Sequence, residues 1–122
     1  MRLKCLAATL AVVLFGGIAA EAATLRVVVV QTSDAAGYVK ALEQGKALMK
    51  AKGSPAILRV WKARFAGTDA GAVVVSVEYP NFETFAKEDA RMASDAELRS
   101  WLQGLDKFRK IVSDSIYEEQ TP

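Results

Sequence analysis

The chain reads as an α+β protein, a four-stranded antiparallel sheet with two helices on one face, in the order βαββαβ. Three observations predict this. Four short runs rich in Val, Ile and aromatic residues stand at TLRVVVVQT (24–32), AILRVWKARFA (56–66), AVVVSVEYP (72–80) and FRKIVSDSIYEEQ (108–120). Segments of helical period follow the first and the third run. Only GTDAG separates the second run from the third, a link short enough to make them a hairpin.

The first strand is apolar on both faces apart from Arg26. Ser33-Asp34 supplies a helix N-cap, because a short side-chain oxygen satisfies backbone N–H groups that lack an intrahelical partner. In the helix that follows, Tyr38, Ala41, Leu42, Gly45, Leu48 and Met49 fall on one stripe, and Lys40, Glu43, Lys46 and Lys50 take the other side. Gly53 closes this helix in the C′ position and Ser54-Pro55 prevents its continuation. Pro80 ends the third strand, since it has no N–H for a ladder. Asn81 then caps a second helix, whose apolar side is Phe82, Phe85 and Met92. Ser94 and Glu97 have the spacing of a capping box, so this helix is expected to break and restart. Leu98, Trp101, Leu102 and Leu105 form the stripe of the second piece. The order is that of the split βαβ, or ferredoxin-like, arrangement.

The amino-terminal end has a separate character. Arg2 and Lys4 form a basic head, no charge occurs from Cys5 to Ala20, and Ala20-Glu21-Ala22 offers a small-x-small cleavage pattern. A membrane span needs about 20 apolar residues, and this run is shorter and interrupted by Gly16-Gly17. Residues 1–22 are therefore expected to be a secretory signal removed after Ala22, with an uncleaved anchor as the alternative. No stable membrane span is expected after cleavage, and residues 23–122 form one domain placed in the periplasm or secreted.

Of 16 basic and 14 acidic residues, Arg2, Lys4 and Glu21 leave with the signal, so the remaining domain carries 14 and 13. That balance argues against nucleic-acid binding, which calls for a basic excess on one face. The chain has no His, and its single cysteine is Cys5. Metal sites built on His or Cys, haem ligation by either, and Ser-His-Asp or Cys-His catalysis are thereby excluded. No metal and no cofactor is expected. Carboxylates, lysines, tyrosines and hydroxyls remain as the acid–base groups.

Two helices cover one face of a four-stranded sheet. The other face still carries part of VVVV in the first strand and of AVVVSV in the third, more apolar surface than a soluble monomer leaves wet. A second copy packed sheet against sheet through a two-fold contact is expected to cover it, making the protein a homodimer.

Element order over residues 24–119, together with V-E-Y-P-N-F-E-T-F (77–85) and I-V-S-D-S-I-Y-E-E (111–119), resembles the dimeric α+β barrel superfamily, and among its small members the antibiotic-biosynthesis-monooxygenase-like and NIPSNAP-like domains. The resemblance implies a third strand ending in an aromatic (Tyr79), a polar helix start (Asn81) and an inward phenylalanine (Phe85). The group includes cofactor-free oxygenases, haem-degrading enzymes, isomerase-like proteins and domains without known chemistry. This chain departs from the enzymes that combine Asn, Trp and His: it has no His, its one Asn is at the helix cap, and Tyr79 stands where a Trp is common.

Candidate site residues follow from the hairpin. With Gly67 to Ala70 as a four-residue loop, Phe65 faces Ala72, Ala63 faces Val74, Trp61 faces Ser76 and Arg59 faces Glu78. Large then meets small and opposite charges meet. A loop one residue shorter places Trp61 with Val75 and Val77 instead. In the first register Arg59, Trp61, Ser76 and Glu78 share a face and either line a polar spot in an apolar hollow, with Glu78 as base, or form a structural ion pair near a sheet edge or subunit seam. Tyr38 and Tyr79 either reach a cleft between helices and sheet or pack as core aromatics with hydroxyls at the rim. The catalytic candidates are thus Glu78 and Tyr79, and the ligand-binding candidates Arg59, Trp61, Ser76 and Tyr38. The expected role is binding of a small apolar or aromatic ligand, or a non-catalytic envelope module. The alternatives are a cofactor-independent monooxygenase or isomerase, and a structural subunit docked to another exported protein.

Overall fold

Strand β1 (Thr24–Gln31) lies inside the sheet, with β3 (Val73–Tyr79) on one side and β4 (Lys110–Glu118) on the other; β2 (Ile57–Lys62) completes the order β2-β3-β1-β4, all neighbours antiparallel. This is a computed structural model that describes residues 22–65 and 67–121. The expected secretory segment, Ala22 apart, lies outside the described residues. Three helices connect the strands: α1 (Ala35–Ala51), α2 (Phe82–Ser94) and α3 (Ala96–Gly104). The four-stranded antiparallel α+β fold expected from the sequence is the fold observed.

Strand parity sorts the valines. Val28 and Val30 of β1, Val73 and Val75 of β3 and Leu58 of β2 join Tyr38, Leu42 and Met49 of α1, with Leu98 and Leu105, in one buried core. Burying a side chain such as Leu42 stabilises the fold by about 1.5–3 kcal/mol. Val29, Val74 and Trp61 stand opposite one another across three strands and point to the other face. Between Val29 and Val30 the pairing with β4 slips by one residue, so Val112 bulges out of the ladder.

The helices begin where side-chain oxygens satisfy backbone N–H groups. Asp34 accepts from Gly37 at 2.9 Å and Asn81 from Thr84 at 2.7 Å. The second helix does break and restart, but through a different device from the expected capping box. Asp95 is the cap and accepts from Glu97 and Leu98, each at 3.0 Å, whereas Ser94 Oγ donates to Arg91 O. Three hydrogen-bond acceptances hold the Asp95 carboxylate: Leu98 N–H first, then Lys52 Nζ, then Glu97 N–H, and they draw its pKa below the usual value. Along α1 the predicted stripe is the buried one, and Gly45 has a particular role in it. Trp101 lies so close to α1 there that a β-carbon on residue 45 would overlap its indole, whose Nε1 donates to Ala41 O at 2.8 Å.

The hairpin corrects the expected pairing. Arg59 faces Ser76, Trp61 faces Val74 and Ile57 faces Glu78, two residues out of step with the register inferred from pairing chemistry. The ladder closes at Ala63, whose N–H donates to Ala72 O and whose carbonyl accepts from Gly71 N–H. Residues 67–69 form a 3₁₀ turn with bonds of its own, Ala70 to Gly67 O and Ala72 to Asp69 O, and Gly71 at φ +88° returns the chain to β3. With the turn satisfying its own backbone groups, Arg64 and Phe65 leave the ladder, and Phe65 is fully exposed. A shift of two residues preserves parity, so Arg59, Trp61, Ser76 and Glu78 still share one face.

Candidate functional site

Helix α2 buries none of its residues fully, and Phe82 is exposed. It rests on the sheet end through an aromatic contact, Phe85 meeting Tyr79 edge-on at 5.3 Å between centroids and Phe82 at 5.6 Å. The space between α2, α3 and the sheet therefore stays partly unfilled, as a half-open cleft of about 360 Å³. Val28, Leu42, Met49, Leu58 and Val75 make its apolar floor; Met92 and Trp101 come from the helices.

Four charged side chains line this cleft, Arg26 paired with Asp114 and Arg109 beside Asp106. Arg26 of β1 reaches Asp114 of β4 in a bidentate pair, Nε to Oδ1 at 3.0 Å and Nη2 to Oδ2 at 2.6 Å. Asp89 of α2 stands 3.6 Å from Nη1. The hydrogen bonds from Arg26 hold the Asp114 carboxyl below its ordinary pKa, and the Asp114 carboxylate in turn raises that of Arg26. The second arginine, Arg109, precedes β4 and lines the cleft with a side chain only 9% exposed. Its Nη1 donates to Tyr38 Oη at 3.1 Å, and its guanidinium lies 5.9 Å from the Tyr38 ring centroid. Tyr79 lines the cleft from the end of β3, and burial pushes its hydroxyl pKa up.

The six residues singled out from sequence divide between two places. Tyr79 lines the cleft, and Tyr38, fully buried in α1, supports Arg109 without lining it. Arg59, Trp61, Ser76 and Glu78 sit together on the opposite face of the sheet. Trp61 Nε1 donates to Ser76 Oγ at 2.8 Å and Arg59 Nη1 is 3.9 Å from Glu78 Oε2, both diagonal contacts across the β2–β3 pair. None of these four lines the cleft. Sequence reasoning passed over Arg26, Asp114 and Arg109. A signal was present for the first, since Arg26 is the single charge in an otherwise apolar strand. Among the described residues no group of three or more His, Cys, Asp or Glu side chains is placed to hold a metal ion.

No protein-family model matches the chain, and no curated protein matches it at a significant level. Solved structures do share its fold. A NIPSNAP family protein from Agrobacterium tumefaciens superposes with a TM-score of 0.61 at 13% identity, over 83% of this chain and 92% of that one. A NIPSNAP-like domain protein from Burkholderia xenovorans gives 0.61 at 14%, over 83% and 84%. SnoaB, a cofactor-independent oxygenase from Streptomyces nogalater, gives 0.57 at 10%, over 85% and 97%. The α+β fold of this chain is thus one that these NIPSNAP-like proteins and this oxygenase share. At such identities the likeness concerns the fold alone.

Proposed function

We propose that this chain is an exported, homodimeric α+β barrel protein that binds a small, largely apolar molecule in the cleft between its helices and its sheet. The cleft itself supports the reading: an apolar floor of packed core residues, a few polar groups at one end, and a volume in the range of small-molecule sites. Export rests on the basic head, apolar run and Ala20-Glu21-Ala22 pattern of residues 1–22. Among the described residues no helix is long and apolar enough to cross a membrane. Dimerisation rests on the sheet face away from the helices, where Ile57 and Trp61 are 44% and 53% exposed and Tyr117 57%.

The test uses the neutral probe N-phenyl-1-naphthylamine. Its fluorescence should rise on binding at one site per chain, and Val77→Trp, which fills the cleft from β3, should abolish the rise. Binding that survives in a folded Val77→Trp protein would place the ligand elsewhere. A second reading, cofactor-independent oxygenation, draws on the fold shared with SnoaB and on Tyr79 at the cleft. Oxygen uptake above the buffer rate with an acidic aromatic substrate such as a naphthol would favour it.

A further inference from the structure

We propose that the cleft selects an organic anion, an aromatic or alicyclic body bearing one carboxylate, and that Arg109 is the group that holds the carboxylate. The inference rests on the cleft being the ligand site. Two guanidiniums line that cleft, and they differ in what they already bind. Arg26 has its charge met by the two oxygens of Asp114 and by Asp89 nearby. Arg109 is the more deeply buried, and its one ion pair, with Asp106, is longer and made through a single nitrogen. Its Nη1 is spent on a neutral hydroxyl, that of Tyr38. Its Nε is buried and makes no hydrogen bond. The nearest carboxylate to that nitrogen, Asp106, approaches only to 3.5 Å and is itself 71% exposed.

A buried guanidinium that is short of acceptors is costly, and a fold that keeps one at a cavity wall has a donor in reserve. Arginine presents its N–H groups as a planar fork that matches the two oxygens of a carboxylate. Asp114, whose two oxygens are held by Arg26, acts on Arg109 through its charge and not through a hydrogen bond. Apart from the two arginines, Asp106, Asp114, Gln103 and Tyr79, the lining is apolar and includes Val28, Leu42, Met49, Leu58 and Val75, which suits a hydrocarbon ring rather than a sugar or a peptide. A cleft of about 360 Å³ is large enough for a two-ring body with a carboxylate at one end.

The experiment compares 2-naphthoate with 2-naphthamide, probes of equal shape that differ in charge, by calorimetric titration of the purified protein. Naphthoate should bind at least tenfold more tightly, and the Arg109 Nε–H resonance in ¹⁵N-labelled protein should shift with naphthoate and stay in place with the amide. Arg109→Gln should bring the two affinities together. Equal affinity for acid and amide in the unaltered protein would overturn the anion inference and leave the apolar cleft standing. Binding of neither probe would remove the cleft as a ligand site and the inference with it. A naphthoate preference that leaves the Arg109 resonance unmoved would also overturn it. Because the titrations and the resonance use the unaltered protein, the outcome does not depend on Arg109→Gln folding.

Discussion

The two faces of this sheet carry the same kinds of side chain and use them differently. On the helix side an arginine, a carboxylate and an aromatic meet as Arg26, Asp114 and Tyr79; on the open side the same chemistry stands as Arg59, Glu78 and Trp61. The first arginine makes two short, aligned hydrogen bonds within a walled cleft, and burial pushes the neighbouring tyrosine up. The second lies 3.9 Å from its partner, with both side chains two-fifths exposed or more. The comparison shows that residue type does not mark a site. Bonding geometry and an adjoining cavity do: Arg26 and Asp114 are only a little less exposed than Arg59 and Glu78, yet only the first pair is bidentate and lines the cleft.

Four experiments break or sharpen this contrast. The largest effect on stability is expected at Gly45, where Trp101 lies against the bare backbone of α1. Gly45→Ala should lower the unfolding free energy by about 1–3 kcal/mol, read by urea denaturation, since the added methyl overpacks the indole. It should also weaken N-phenyl-1-naphthylamine binding, because Trp101 is a cleft wall. A Gly45→Ala protein as stable as the parent would mean that the helix-side core is loose.

On the open face, Trp61→Glu should convert the proposed dimer into a monomer in light scattering while leaving the unfolding free energy of the monomer within about 1 kcal/mol. A single-chain mass for the unaltered protein at high concentration would remove the dimer altogether. Next in size are the two arginines. Arg26→Gln should cost about 1 kcal/mol after allowance for solvent screening, as Asp114 loses both hydrogen bonds, whereas Arg59→Gln should cost less than about 0.5 kcal/mol. Equal costs would erase the distinction between the faces.

The smallest effect is a pH dependence on the helix side. Pairing with Arg26 lowers the folded-state pKa of Asp114, so its contribution is complete above the unfolded carboxylate value of about 3.9 and is lost as the pH falls through the lower folded value. In Arg26→Gln the Asp114 carboxyl, followed by ¹³C NMR, should titrate closer to the ordinary value. An unmoved titration would show that a group other than Arg26 holds it down.

Much of the architecture was legible in local pattern. The stripe of α1, the caps at Asp34 and Asn81, the break before Asp95 and the four strand runs all express short-range rules that the finished fold obeys. The hairpin pairing was not legible, because the loop makes a 3₁₀ turn and ends the ladder at Ala63 and Ala72, a choice decided by backbone bonds and not by matching Trp61 to Ser76. The error of two residues kept Arg59, Trp61, Ser76 and Glu78 on one face, where Arg59 and Glu78 stand as an ion pair at the sheet edge, the second of the two arrangements expected for them. Arg26 could be noticed as the odd residue of its strand, yet Asp114 and Arg109 lie more than 80 positions away. Their meeting depends on β4 pairing beside β1.

By itself the sequence determined which segments are strands and helices, the absence of His and the confinement of its one Cys to position 5, and the surplus of valine that fills two faces of one sheet. Only the tertiary structure decided which face is roofed by helices, that α2 sits high enough to leave a cleft, and that Arg109 ends there short of acceptors. The physical reason is one of range. Propensity, capping and periodicity act over a few residues and are written locally, whereas shelter from water is a property of surfaces brought together from distant parts of the chain.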